Sequence, residues 1–257
     1  MQLPAQLAEI YDGGLTIADG ATYANFVSSI DGIVAIEHGR AASGGIVSGR
    51  NPADRFVMGL LRAFADVVLV GAGTVRAEGG KALWTPEFIF PDAAEGFAEL
   101  RRQLKRDRSP TLVIVSARGQ LNPSDRALQT GALVLTTEQA ASRLRNELPR
   151  ATQVRSISND NQVPVEAIFD ALRADGYRTV LTEGGPALFG QLVESRRIDE
   201  LFLTVSPALM GQTGDESFGL IHGITFGRSP RWARLASIRR HESHLFLRYR
   251  LNSAAVN

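Results

Sequence analysis

The stretch TVLTEGGPALFG, residues 179–190, decides the fold class of this chain. An apolar strand pattern ends at Glu183, two glycines follow, and Pro186 suits the first position of a helix. In such a strand–turn–helix unit, the first N–H groups of the helix lack partners within the helix and point beyond the carboxyl edge of a sheet. The unit predicts either a pyrophosphate site or a tight turn that needs glycine only for its shape.

Strand and helix patterns alternate on both sides of this unit. Strand patterns cover residues 23–30, 67–70, 112–115, 132–136, 152–157, 179–181 and 200–205. Helical patterns cover residues 52–65, 94–107, 138–147, 164–174 and 187–195, the first of them introduced by Asn51 and Pro52. The last stretch, residues 234–251, alternates as two strands of an antiparallel hairpin. The order predicts one α/β domain with a mostly parallel central sheet and that hairpin at its edge.

The remaining stretches are predicted to be irregular. Residues 38–49 are glycine-rich and predict a flexible loop, and residues 79–97 combine prolines with aromatic residues and predict a long surface loop. Residues 1–20 are interpreted as an N-terminal extension, and residues 21–251 as the core of the single domain.

Composition excludes several functional classes. The 257 residues carry 28 Lys+Arg against 27 Asp+Glu and contain no cysteine. Disulfides, thiolate zinc sites, Fe–S clusters and cysteine nucleophiles are therefore excluded. Near-zero net charge gives no reason to expect nucleic-acid or membrane binding, and the N-terminus has no signal-peptide pattern, so we expect a cytoplasmic protein. We expect no metal site, because the hairpin is predicted to place His241 and His244 on opposite faces.

Two more segments carry signals for cofactor binding. Residues 67–75, VVLVGAGTV, are similar to a dinucleotide-binding turn through Gly71 and Gly73, but Arg76 occupies a position where that fingerprint needs glycine. A second signal is Ser116 with Arg118 after the strand pattern LVIV. A hydroxyl and a guanidinium at a strand end suit the 2′-phosphate of NADPH, although the same pair is common in surface loops.

Five sequence blocks, taken together, indicate a family more specifically than any one of them does alone. In chain order they are FVSSIDG (26–32), SGGIVSG (43–49), LLRAFADVVLVGAGTVRAE (60–78), VIVS (113–116) and LTEGGPALFGQLV (181–193). They resemble the reductase domain of riboflavin biosynthesis. The resemblance implies a dihydrofolate-reductase-like three-layer fold and a homodimer. It also implies NADPH-dependent reduction of a small molecule, 5-amino-6-(5-phosphoribosylamino)uracil, by hydride transfer to ribose C1′ of the opened imine.

The same resemblance implies roles for individual residues. Glu183 is the candidate catalytic residue and faces the substrate, together with Ser43 and Arg62 as substrate-binding residues. The implied cofactor-binding residues are Val27, Gly45, Thr74, Glu78, Ser116, Gly185, Pro186, Ala187, Leu188, Phe189 and Gly190, to which the local signals above add Gly71, Gly73, Arg118 and Gly184.

One segment departs from the family pattern. Where the family has an Asp-Asp-Pro-x-Leu-Thr-x-Arg run that helps to hold the substrate, residues 77–88 read AEGGKALWTPEF, with Lys81 as a possible substitute charge. The departure leaves the substrate open. Alternatives are a reductase of dihydrofolate, another pteridine or another imine on the same fold, and a catalytically silent protein that binds NADPH.

Overall fold

A computed structural model describes residues 2–36, 43–211 and 217–251, apart from the side chains of Ser43 and Ser217. The strands are β1 Thr22–Ser28, β2 Ala35–Ile36, β3 Val67–Gly71, β4 Thr111–Ser116, β5 Leu133–Thr137, β6 Gln153–Ser158, β7 Val180–Thr182, β8 Glu200–Val205, β9 Ser217–Phe218, β10 Arg234–His241 and β11 His244–Arg250. The α-helices are α1 Ala5–Tyr11, α2 Ser43–Val47, α3 Pro52–Phe64, α4 Ala72–Ala77, α5 Pro86–Ile89, α6 Ala94–Gln103, α7 Arg126–Thr130, α8 Glu138–Glu147, α9 Val165–Ala174 and α10 Pro186–Glu194, and Pro91–Ala93 forms a 3-10 turn.

Nine strands form one mixed sheet in the order β10-β11-β8-β1-β7-β3-β4-β5-β6. The seven strands from β8 to β6 run parallel to one another. The C-terminal hairpin adds β11 and β10 antiparallel at one edge. The predicted fold class is confirmed, and β2 and β9 form a separate two-stranded ribbon.

Each face of the sheet packs against its own layer of helices. On one face, Leu60 of α3 and Phe97 of α6 join Val68 of β3 in a single buried cluster. Leu7 of α1 belongs to that cluster and is fully buried, so part of the predicted N-terminal extension packs into the core. On the other face, helices α9 and α10 cover β7, with Leu192 as one of the fully buried side chains. The result is the expected three-layer arrangement.

Both ends of helix α3 are fixed by side chains. Asn51 was predicted to begin this helix, and its Oδ1 accepts hydrogen bonds from the backbone N–H groups of Ala53 at 2.9 Å and Asp54 at 3.2 Å. At the other end, the buried Arg101 guanidinium donates to the carbonyls of Ala63 at 3.1 Å and Ala65 at 2.7 Å. These caps hold the helix that carries Arg62.

The prediction that residues 38–49 and 79–97 form loops is partly wrong. Within residues 38–49, positions 43–47 form α2, and positions 38–42 lie outside the described residues. Residues 79–97 contain α5, a 3-10 turn and the start of α6, because Thr85 caps Phe88 N and Pro86 occupies the first helical position. Trp84 is buried in the core, so much of this segment is packed rather than a free surface loop.

The predicted placement of His241 and His244 is also wrong. They are register partners on either side of a two-residue turn, so they share one face of the hairpin. Within the described ranges, no group of three or more histidine, aspartate or glutamate side chains is placed to hold a metal ion. Among the helices described, none is long and apolar enough to cross a membrane.

Candidate active site

The predicted site residues meet at the carboxyl edge of the parallel strands. Glu183 follows β7, Gly71 ends β3 and Ser116 ends β4, and these three strands are neighbours in the sheet. Parallel strands bring their carboxyl ends to one edge, which is where open α/β sheets bind ligands. The sequence signals therefore converge in space.

Arg62 and Glu183 form a buried ion pair at this edge. Arg62 Nε donates to Glu183 Oε1 at 2.9 Å, and Nη2 donates to Oε2 at 2.7 Å. The two side chains are 6% and 9% exposed. Arg62 Nη1 also donates to the carbonyls of Leu83 and Thr85 at 3.3 Å each. Arg62 thus fixes both the Glu183 carboxylate and the segment that departs from the family pattern.

Glu78 extends the charged region beside this pair. It follows helix α4 directly, as the C-cap residue. Desolvation raises the pKa of the Glu78 carboxyl above its ordinary value, while Arg62 lowers this pKa and Glu183 raises it. Glu78 was predicted to bind the cofactor, and its place links α4 to the Arg62–Glu183 pair.

The turn after β7 needs glycine at its first position. A Cβ on Gly184 would lie 2.7 Å from Leu188 Cδ2 and 3.2 Å from Thr182 Oγ1. A Cβ on Gly185 would lie 3.5 Å from Thr74 Oγ1, so the turns after β7 and β3 are in near contact. This places the predicted cofactor residues of both turns side by side.

A groove of about 1180 Å³ runs along this edge next to the two turns. Four of the predicted cofactor residues line it, namely Gly71, Arg118, Ala187 and Leu188. Its wall also includes Thr137, Gln139, Ala140 and Arg143 at the start of α8, which sequence reasoning missed. The Thr137 hydroxyl caps Ala140 N at 3.3 Å, and this cap pattern is the signal that marks the helix start.

Ser116 is buried and supports a turn in the wall of the groove. The residue is 7% exposed, and its Oγ accepts a hydrogen bond from Gly119 N at 3.0 Å. Gly119 has φ +62°, and its carbonyl accepts a hydrogen bond from Arg143 at 3.0 Å. Ser116 therefore supports the turn that presents the exposed Arg118 to the groove.

Other predicted residues lie in different surroundings. Val27 of β1 is 9% exposed and pairs in register with Thr204 of β8. Phe189 is 1% exposed and packs on Phe26 with ring centroids 4.8 Å apart, which places it in the core. The side chain of Ser43 lies outside what the structure describes. The other implied cofactor residues, Gly45, Gly73, Pro186 and Gly190, occur at or within the helices α2, α4 and α10.

A buried polar network that the sequence reasoning missed lies at the start of α3. Asp54 in the first turn of α3 is 5% exposed and accepts a hydrogen bond from the Thr204 side chain. His244 contacts Asn51 Nδ2 through Nδ1 at 3.1 Å and the Ser48 carbonyl through Nε2 at 3.1 Å. Because Asn51 Oδ1 already caps the helix, its amide donates to Nδ1 and His244 Nε2 carries the proton. The network ties the C-terminal hairpin to the start of α3.

The fold and the site are those of an α/β oxidoreductase that uses a nicotinamide cofactor. The chain belongs to the RibD C-terminal domain family, whose pattern matches residues 22–240.

Individual relatives agree with this assignment. The chain is similar to the 2,5-diamino-6-ribosylamino-4(3H)-pyrimidinone 5′-phosphate reductase of Archaeoglobus fulgidus, with 26% identity over 190 residues, 72% of this chain and 80% of the relative. It is 24% identical to the riboflavin biosynthesis protein RibD of Bacillus amyloliquefaciens over 153 residues, 57% of this chain and 36% of the relative. A solved pyrimidine reductase-like protein from Corynebacterium diphtheriae shares the fold, with TM-score 0.74, 22% identity and coverage of 98% of this chain and 100% of that one.

Proposed function

We propose that this chain is an NADPH-dependent reductase of a ribosylaminopyrimidine 5′-phosphate in riboflavin biosynthesis. The observation that carries the proposal is the buried Arg62–Glu183 pair, in which Glu183 directly precedes the Gly184–Gly185 turn. A fixed carboxylate next to a cofactor site is the arrangement that a reductase needs to orient a polar substrate. The names of the relatives from Archaeoglobus fulgidus and Bacillus amyloliquefaciens support the substrate class.

The residues present fit a dinucleotide cofactor. The first N–H groups of α10, after Pro186, have no partner within that helix, and Gly185 at its N-cap has no side chain to cap them. When bound, the reduced nicotinamide would supply a hydride to ribose C1′ of the opened imine, and a proton taken up at the imine nitrogen would complete the ribityl form. We assign the 2′-phosphate that distinguishes NADPH from NADH to Arg118, with Arg143 beside it in the groove wall.

Within the site, we assign Glu183 the role of orienting the substrate and Arg62 the role of holding Glu183. Two parallel hydrogen bonds leave the carboxylate little freedom to turn, so it can hold a substrate donor in one geometry. Burial of both side chains keeps water away from the same point. The chain therefore contributes mainly position and exclusion of water, and the cofactor contributes the reactivity.

A homodimer is part of the proposal. Leu235 and Ile238 on the edge strand β10 are 48% and 58% exposed, and Trp232 just before it is 72% exposed. Exposed apolar side chains of this size on an edge strand favour contact with a second copy of the chain. The cytoplasmic location stays a prediction from the sequence.

A pteridine such as dihydrofolate is the second candidate substrate. The segment that departs from the family pattern gives its Leu83 and Thr85 carbonyls to Arg62, so this part of the substrate site is built differently here. A pteridine reductase on the same fold would use the same cofactor groove and the same ion pair.

Loss of NADPH absorbance with each candidate substrate tests the proposal. We expect oxidation with the ribosylaminopyrimidine phosphate and much slower oxidation with dihydrofolate. Rapid oxidation with dihydrofolate alone would favour the second candidate. Tight NADPH binding without oxidation by any candidate would support the catalytically silent alternative.

A further inference from the structure

His244 is a buried imidazole that the proposed mechanism does not use. It begins β11 at the turn of the C-terminal hairpin and is 9% exposed, whereas its register partner His241 is exposed. Nδ1 lies 3.1 Å from Asn51 Nδ2, and Nε2 lies 3.1 Å from the Ser48 carbonyl oxygen. Because both ring nitrogens have partners, the imidazole is held in one orientation and one tautomer.

The two partners of His244 stand on either side of a strained turn. Gly49 and Arg50 lie between Ser48 and Asn51, with φ values of +61° and +55°. For Arg50 this is a left-handed conformation that residues other than glycine rarely adopt. Such backbone persists only where the surrounding structure holds it, and it clusters at functional sites. The imidazole supplies part of that support, because it contacts the residue before the turn and the residue after it.

This turn joins the two helices that carry predicted residues of the substrate cleft. Helix α2 contains Ser43 and Gly45, and helix α3 carries Arg62, the partner of Glu183. The turn also closes on α2, because the Arg50 N–H donates to the Gly45 carbonyl at 3.0 Å. A residue that holds the turn therefore holds α2 in place relative to α3 and the ion pair.

We propose that His244 is a positioning residue for the reduction. It sets the turn between α2 and α3 from the C-terminal hairpin, and it acts through Ser48 and Asn51 rather than by contact with the substrate. The role rests on the proposed function, since the ligand whose binding it governs is the ribosylaminopyrimidine phosphate.

The test compares His244→Phe with the wild-type enzyme in steady-state kinetics. Phenylalanine keeps a planar ring but loses both hydrogen bonds, so the turn is no longer held from the hairpin. We expect KM for the ribosylaminopyrimidine phosphate to rise roughly tenfold, as for the loss of a neutral hydrogen bond. The turnover number and the dissociation constant for NADPH should change little, because the ion pair and the cofactor groove remain. His241→Phe, at the exposed register partner in the same hairpin, is the matched control.

Two conservative variants test whether the hydrogen bonds themselves matter. His244→Asn places an amide oxygen near the position of Nδ1, where it can still accept from Asn51. His244→Gln places an amide nitrogen near the position of Nε2, where it can still donate to the Ser48 carbonyl. Each variant should recover part of the wild-type KM, which a loss of packing alone would not produce.

Asn51→Ser breaks the same contact from the other side. Serine is a good N-cap, so the start of α3 keeps its cap while the amide donor to Nδ1 is lost. The variant should raise KM in the same way as His244→Phe. Because both substitutions remove one shared contact, the double variant should be little worse than His244→Phe alone.

A His244→Phe enzyme that is less stable but keeps the wild-type KM would overturn the proposal, since the role would then be structural only. If that variant does not fold, an unchanged KM in Asn51→Ser overturns it equally. Both outcomes leave the proposed function intact, because the wild-type enzyme still reduces its substrate. No reduction of the ribosylaminopyrimidine phosphate by the wild-type chain would overturn the proposed function and this role together.

Discussion

The guanidinium of Arg62 holds the Glu183 carboxylate through two hydrogen bonds of 2.9 and 2.7 Å, although 121 positions separate the two residues in sequence. Both side chains are more than nine-tenths buried. Removing one partner of such a pair leaves the other charge without compensation, which costs about 3–5 kcal/mol. The pair therefore links the stability of the domain to the geometry of its site.

Glu183→Gln should lower turnover far more than it lowers NADPH affinity. The amide cannot keep the charge-assisted fork with Arg62, so the group that orients the substrate is lost while the cofactor groove remains. We expect kcat to fall by about a hundredfold or more, measured by steady-state kinetics with NADPH binding followed by fluorescence titration. Glu99→Gln, at a partly exposed position on α6, is the matched control. An equal loss of turnover and NADPH affinity would refute the role assigned to Glu183.

Gly184→Ala should weaken cofactor binding. The added Cβ would lie 2.7 Å from Leu188 Cδ2, and Leu188 lines the cofactor groove, so relief of the contact moves the groove wall. Overpacking of this kind costs about 1–3 kcal/mol, so we expect the dissociation constant for NADPH to rise roughly tenfold. Gly14→Ala is the control, because nothing lies within 4 Å of its Cβ. Unchanged affinity in Gly184→Ala would show that this turn does not contact the cofactor.

Arg118→Ala should reduce the preference for NADPH over NADH. Arg118 is exposed in the groove on a turn supported by Ser116 and Gly119, so its removal should leave that turn in place. Loss of one charge-assisted contact to the 2′-phosphate should lower the affinity ratio by about tenfold. Arg145→Ala on α8 is the matched control, since Arg145 is 49% exposed and pairs with Glu138. An unchanged affinity ratio would show that Arg118 does not bind the 2′-phosphate.

Asp54→Asn should alter how stability depends on pH. The folded-state pKa of Asp54 is raised from 3.8 to about 6, so the folded protein binds more protons than the unfolded chain between these values. The contribution of Asp54 to the free energy of unfolding is therefore greatest below about pH 4 and is lost as the pH rises through about 6. Above that pH, burial of the ionised carboxyl lowers the free energy of unfolding by roughly 3 kcal/mol, and Asn has no such ionisation cost.

Denaturant unfolding of wild-type protein and Asp54→Asn across pH 4–8 checks this prediction. The difference in the free energy of unfolding should shift in favour of the variant as the pH rises, and then become constant. A difference that does not change with pH would mean that Asp54 has an ordinary pKa in the folded protein.

Local signals predicted the elements that local interactions determine. Asn51 and Pro52 predicted the start of α3 because capping involves only neighbouring backbone groups. The glycines after β7 predicted the turn for the same reason. The segment around Thr85 was assigned to a loop, since its helix has only four residues and shows no periodicity.

Contacts between distant segments were not predictable in the same way. The sequence did not distinguish Asp54 from other acidic residues, because an acidic residue in the first turn of a helix is common. Its significance comes from Thr204 and His244, which the sheet order brings to it from the C-terminal part of the chain. The resemblance to a known family supplied Arg62 and Glu183 separately, and their pairing appeared only with the fold.

The central claim is that the site reduces a ribosylaminopyrimidine phosphate with NADPH. The most direct measurement is the loss of NADPH absorbance when the purified chain receives the 2,5-diamino-pyrimidinone ribosylamine phosphate. The account predicts rapid oxidation, coupled one to one with formation of the ribityl product. NADPH that binds but is not oxidised, with this substrate or its uracil counterpart, would contradict the account.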